Sequence, residues 1–361
     1  MRLGVAGVPL FQLPTITRRA NVFGRNSKKM KQTFKRLNPK HVGLQIFDGR
    51  VLAFFGLISI ILALGGSVSS QLSLRKAMDY DGDGKADPAI FRMSNNNWYL
   101  VHSGSGGYSV QNFGVSASDF LTPGDYDGDG KGDVALWRDT DGTFYYIKSS
   151  DLTFNTRSFG QTDDEPVARD YDGDGKTDFA VVRRVDGVMR WYIQGSTVGF
   201  YSADFGIPSD FVAPGDYDGD GKFDRAIYRA APNNGASSFY VSQSTAGYTV
   251  VSWGLGNDLV VPGDYDGDGK TDYAVVNSSG GYWVWRIIRS DGIGYIISGW
   301  GVSDGSDFPV QNDYDGDGKT DRAIWRTGTG VYWIARSLDG GTQNYNWGQD
   351  GDFPIAYYDV H

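Results

Sequence analysis

Asp79-Tyr80-Asp81-Gly82-Asp83-Gly84-Lys85-Ala86-Asp87 opens a pattern that the chain writes six times. The other copies begin at Asp125, Asp170, Asp216, Asp264 and Asp313, a period of 45 to 49 residues. Each copy keeps Asp at positions 1, 3, 5 and 9, Tyr at 2, Gly at 4 and 6, and Lys at 7; only position 8 varies. Four carboxylates in nine residues repel one another unless a cation sits among them. Calcium takes six to eight oxygens, which a tight loop of alternating Asp supplies. The position-6 glycine permits the positive-φ turn that returns the last Asp over the ion, and the lysine offers its backbone carbonyl while its ammonium stays in water.

The candidate ligands are therefore Asp79, Asp81, Asp83, Lys85 and Asp87 in the first loop and Asp125, Asp127, Asp129, Lys131 and Asp133 in the second. Asp170, Asp172, Asp174, Lys176 and Asp178 form the third set, and Asp216, Asp218, Asp220, Lys222 and Asp224 the fourth. Asp264, Asp266, Asp268, Lys270 and Asp272, then Asp313, Asp315, Asp317, Lys319 and Asp321, complete about six calcium sites. Single Asp-Gly strings are ordinary turns, but six copies with intact carboxylate spacing are not. An EF-hand needs Glu at position 12; here that position holds Ile90, Leu136, Val181, Ile227, Val275 and Ile324, inside an apolar run.

After each loop the grammar repeats. A strand ends at Arg92, Arg138, Arg183, Arg229 or Arg326, with Asn277 the one departure, and a polar turn follows. Next comes an aromatic strand, as at Trp98-Tyr99, Tyr145-Tyr146, Trp191-Tyr192, Phe239-Tyr240, Tyr282-Trp283 and Tyr332-Trp333. An aromatic-Gly pair, such as Phe113-Gly114 or Trp347-Gly348, leads through an Asp to the strand that enters the next loop. Four short strands in about 46 residues, repeated, are propeller blades. Asp352–Ala356 repeats the strand before a loop with no loop after it, so it is expected to complete the first blade beside Ala86–Arg92. The expected fold is all-β: six four-stranded blades over residues 71–361, since a seventh would have to come from residues 71–78. The repeated Arg is expected to pair with Asp or carbonyls between blades, and the Asp before each entering strand to cap a turn.

The loops resemble the D-x-D-x-D-G-x-x-D calcium loops of FG-GAP/VCBS repeats, found in integrin α-subunit propellers and in many secreted bacterial proteins. The aromatic-Gly pairs fit the same resemblance, which covers residues 79–361. It implies a calcium-stabilised propeller, with the family's ligand roles falling on the four Asp of each loop, and an adhesion or recognition role.

Residues 1–70 hold 11 Lys/Arg against one Asp, whereas the remainder holds 23 basic and 42 acidic residues. An acidic body argues against nucleic acid as a partner. Within the basic leader, the apolar run 51–68, followed by small residues, reads as a secretory signal or an uncleaved anchor; any membrane contact would run through it. The repeats then lie outside the cytoplasm, secreted or at the cell surface, where free calcium is high. There is no cysteine. No catalytic residue is expected: with three histidines, and with the G-x-S-x-G of Gly301–Gly305 lying in a repeated loop, the acid/base inventory is thin. The rival reading is a propeller-type polysaccharide lyase, which would need an unrepeated cluster around a groove. What one blade alone carries is where a protein or glycan partner is sought. Blade four has the long turn Ala230–Ser238 and blade five replaces Arg by Asn277, so Asn233, Asn234 and Asn277 are the candidate ligand contacts, on the face opposite the loops.

Overall fold

The computed structural model describes residues 77–115, 119–290, 292 and 294–356. The leader, with its apolar run, lies outside the described residues, and among these no helix is long and apolar enough to cross a membrane. Six four-stranded antiparallel sheets make a six-bladed β-propeller. The first strands of the blades are short: Asp352–Pro354, Asp119–Leu121, Glu165–Pro166, Phe211–Val212, Leu259–Val260 and Asp307–Pro309. Blade one takes its first strand from the C-terminal end of the chain, where Phe353 pairs with Phe91 and Pro354 with Ile90. The closing strand expected from the sequence is therefore in place.

Burial sets the role of each strand. Second strands are covered on both faces, so Val134–Trp137 and Ala226–Tyr228 within them are apolar and buried. Fourth strands bury at most one face, as the alternation along Gly107–Asn112 and Gly199–Asp204 records. The large core rings sit on second and third strands: Trp98, Trp137, Trp191, Trp285, Trp325, Tyr228, Tyr332, Phe144 and Phe239 are fully buried.

Each blade spends one ring donor on its own aromatic-Gly turn. Indole N–H groups of Trp98, Trp137, Trp191, Trp285 and Trp325 donate to the carbonyls of Phe113, Phe159, Phe205, Trp300 and Trp347, and Tyr228 Oη to that of Leu255. The donor comes from the third strand in blades one, three and five and from the second in blades two, four and six. The glycine of the turn is doubly constrained. Gly160 has φ +114° and Gly348 φ +126°, and a Cβ at either would meet the capping indole at about 3.1 or 3.0 Å. The aromatic partner in turn packs against a ring at the start of the next blade's fourth strand: Phe113 on Phe154, Phe159 on Phe200, Phe205 on Tyr248, Trp253 on Tyr295 and Trp347 on Tyr108.

Two expectations are corrected. The Arg–Asp pairs lie within blades, not between them, because the second-strand Arg stands opposite the first-strand Asp of its own sheet. Arg92–Asp352, Arg138–Asp119, Arg183–Asp164, Arg229–Asp210 and Arg326–Asp307 all close at 2.6 to 2.8 Å. In the first four blades the guanidinium also lies over the Tyr ring of the third strand at 4.4 to 4.5 Å. Each Asp does cap its turn as well; Asp210, for example, accepts the Ile207 N–H at 2.8 Å. The second correction is in blade five, where the hairpin is longer. Val276 pairs with Trp285, as Tyr228 pairs with Phe239, so the core aromatic is Trp285 and not the expected Tyr282-Trp283.

Candidate metal centres

Within each loop the backbone wraps around two carboxylates. In the fourth loop Asp216 Oδ1 accepts the N–H of Gly219 at 2.6 Å and of Asp220 at 3.1 Å, while Oδ2 accepts that of Gly221 at 2.9 Å. Asp224 Oδ2 accepts the Tyr217 N–H at 2.8 Å, pulling position 9 back over the loop. The glycines at positions 4 and 6 carry φ +78° and +88° here, which side chains with a Cβ rarely adopt. The sequence pointed to position 6; position 4 needs glycine for the same reason.

The result is a cluster of ligand oxygens. Asp79/Asp81/Asp87, Asp125/Asp127/Asp133, Asp170/Asp172/Asp178, Asp216/Asp218/Asp224, Asp264/Asp266/Asp272 and one further group each offer three oxygens within 4.8 Å of one another. Asp220, at position 5, accepts the Lys222 N–H with one oxygen and a serine hydroxyl with the other. Burial, with the neighbouring carboxylates adding, pushes Asp87, Asp133, Asp178, Asp224 and Asp321 up to about 7 and Asp272 to about 8. Held so, these groups favour a positive charge in their midst. The residues fit a hard divalent cation in a further respect: Asp172 Oδ1 and Asp218 Oδ1 are buried with no hydrogen-bond partner.

One ring of residues went unnoticed in the sequence. The turn between third and fourth strands carries a serine in every blade, at Ser103, Ser149, Ser196, Ser244, Ser290 and Ser337, and each gives its backbone N–H to the position-9 Asp at 2.7 to 2.8 Å. Each hydroxyl reaches the position-5 Asp. The signal was there, since the serine recurs 16 to 20 residues after position 9; the aromatic residues before it drew the eye instead.

The loops also touch one another. The N–H at position 8 donates to the position-1 carbonyl of the preceding loop: Gly132 to Asp79, Thr177 to Asp125, Phe223 to Asp170, Thr271 to Asp216, Thr320 to Asp264, and Ala86 to Asp313, all at 2.6 to 2.8 Å. The circle closes. The lysine stems follow it, since Lys131, Lys176, Lys222, Lys270, Lys319 and Lys85 each lie where a Cβ on the preceding loop's position-4 glycine would stand. The ammonium expected in bulk water thus sits on a stem packed across its neighbour.

The three asparagines lie on the other face or near it. Asn233 and Asn234 are exposed at φ +55° in a short 3-10 turn, Pro232–Asn234, and Asn234 Oδ1 accepts the Asn257 N–H at 3.2 Å. Asn277 is not in a turn; it is a residue of the strand Tyr273–Ser279 and stands where other blades place the Arg facing Asp258. Arg286 of the third strand supplies the missing charge beside Asp258, whose carboxyl burial raises and Arg286 and Asn277 pull back.

No family model matches this chain, and no curated protein matches it. Among solved structures it is similar to dihydro-heme d1 dehydrogenase NirN in complex with DHE, at 12% identity and a TM-score of 0.35, over 73% of this chain. The similar region spans 54%, about half, of that protein.

Proposed function

We propose that this chain is an extracytoplasmic calcium-binding propeller that serves as a recognition module for a protein or glycan. The observation that carries the metal reading is the gathering of position-1, -3 and -9 carboxylates into one small volume in each of the first five loops. The bound ions would be held by those Asp and would supply structural charge compensation. Fold by itself does not fix a partner, so the recognition role rests on a rigid scaffold with one deviant blade face at Ala231–Gly235. Calorimetric titration of residues 71–361 should count close to six calcium ions; a count of one or two would remove the assignment of all six loops. A glycan and protein binding screen, run with calcium and with chelator, tests the recognition role.

A further inference from the structure

On the loop face, the position-2 Tyr of each loop looks across to position 10 of the next. Where position 10 is aromatic, the slot between blades is filled. Phe179 stacks on Tyr126 with centroids 5.2 Å apart, and Tyr273 on Tyr217 at 5.0 Å. Between blades three and four, position 10 is Arg225, and a cavity of about 270 Å³ remains beside Tyr171. At about 30 Å³ of liquid volume per water, that is room for roughly nine waters, the scale of one sugar ring.

The lining is unlike that of any other slot. Phe223, at position 8, and Tyr201, on the fourth strand of blade three, give it two aromatic walls; other loops have Ala86, Gly132, Thr177, Thr271 or Thr320 at position 8. Arg225 makes one side-chain hydrogen bond, Nη2 to Ser242 Oγ at 3.0 Å, and no ion pair among the described residues. A guanidinium has five donors arranged as a fork for a carboxylate. Ser242 and Ser244 line the same space and offer hydroxyl groups to a ligand.

We infer that this slot binds one uronate residue of an acidic glycan. Its carboxylate pairs with the Arg225 fork, its hydroxyls meet Ser242 and Ser244, and its C–H face lies against the aromatic walls. A neutral sugar would leave Arg225 unpaired. A compact phosphate would bring more charge toward Asp172 and Asp224 and no apolar C–H face for the aromatic walls. The inference rests on the calcium reading, because cations in the third and fourth loops would offset Asp172 and Asp224 beyond what Lys222, in the same lining, supplies.

The test titrates the calcium-loaded chain with D-glucuronate, D-glucose and a glutamate-containing tripeptide, with calcium content measured on the same samples. Glucuronate should bind at least tenfold tighter than glucose or the peptide. Arg225→Gln should lose at least tenfold, and Ser242→Ala a smaller factor, while Arg322→Gln, the same position between blades five and six, stays as the parent. Thermal melts confirm that the variants are folded. Calcium-loaded protein with no glucuronate preference overturns the proposal, as does equal binding of the peptide or wild-type binding by Arg225→Gln. Protein that takes up no calcium overturns the metal reading on its own measurement. Uronate binding that survives in chelator then rules out the dependence on metal.

Discussion

The hydroxyl of Ser244 shows how much of a loop is built by a residue outside it. Its Oγ holds Asp220 at 2.6 Å and its N–H holds Asp224 at 2.7 Å, so the turn between two strands fixes two carboxylates of the fourth Asp-rich loop. The backbone bond survives substitution and the hydroxyl bond does not. Ser244→Ala should therefore cost about 1 kcal/mol of stability and weaken the fourth site about fivefold, near 1 kcal/mol by the usual conversion. Calorimetry that finds all sites unchanged would mean Asp220 needs no such support. The same scale explains blade five. There Asn277 and Arg286 have exchanged the charge between strands, so Asn277→Arg alone sets two guanidinium groups on Asp258. We expect that variant to be destabilised and Arg286→Tyr in the same background to recover it, with a coupling above about 1 kcal/mol in a double-mutant cycle, as for contacting residues. Additive effects would show that the two side chains do not share Asp258.

At the scale of the strand, the closing segment carries the largest single consequence. Asp352 has a side chain 1% exposed, takes the Arg92 guanidinium through two bonds of 2.7 and 2.8 Å and accepts the Gln349 N–H at 2.9 Å. Asp352→Ala takes the carboxylate from Arg92 where the closing strand meets the first blade, and losing charge-assisted bonds of this kind costs about 1.5–3 kcal/mol. Its melting temperature should fall further than that of an exposed control such as Asp339→Ala; equal melts would argue that the strand is held by its backbone alone. Closure was legible beforehand because Asp352-Phe353-Pro354 repeats Asp307-Phe308-Pro309 letter for letter. The strands of blade five were not: Tyr282, Trp283 and Trp285 offered several registers, and only pairing with Val276 selects Trp285. Nor could the sequence place the Arg–Asp pairs within blades, because spacing along the chain does not say which sheet face two residues share. The loops were legible to the residue, since their chemistry is local; the serines that complete them lie 16 to 20 residues beyond each loop's last Asp.

For the whole molecule, the ring of position-8 contacts joins every Asp-rich loop to the next. An ion that orders one loop orders the carbonyl its neighbour's N–H must meet, so filling should be cooperative, with a Hill coefficient above one. Each site adds about 2.7 kcal/mol at a hundredfold excess of calcium over its dissociation constant, and chelator should lower the melting temperature steeply. Gly215→Ala tests the ring directly: its Cβ would stand 2.6 to 2.9 Å from the Thr271 side chain, wedging the fourth and fifth loops apart without touching a carboxylate. Independent sites in the parent, or unchanged cooperativity in Gly215→Ala, would dispose of the coupling. The neighbours across the ring are matched in bulk, Gly with Thr at Gly124/Thr177, Gly215/Thr271 and Gly263/Thr320, and Arg169 with Phe223. None of these links knows where the chain starts. Ile355-Ala356 runs in where Val310-Gln311 does in blade six, and Met78, which leads on to Asp79, shares a core cluster with Ile355 and Ala356, so the first and last described segments meet beside one loop. A circularly permuted chain, spliced there and cut open in the turn Pro232–Asn234, should close the same six blades with a different blade sewn last.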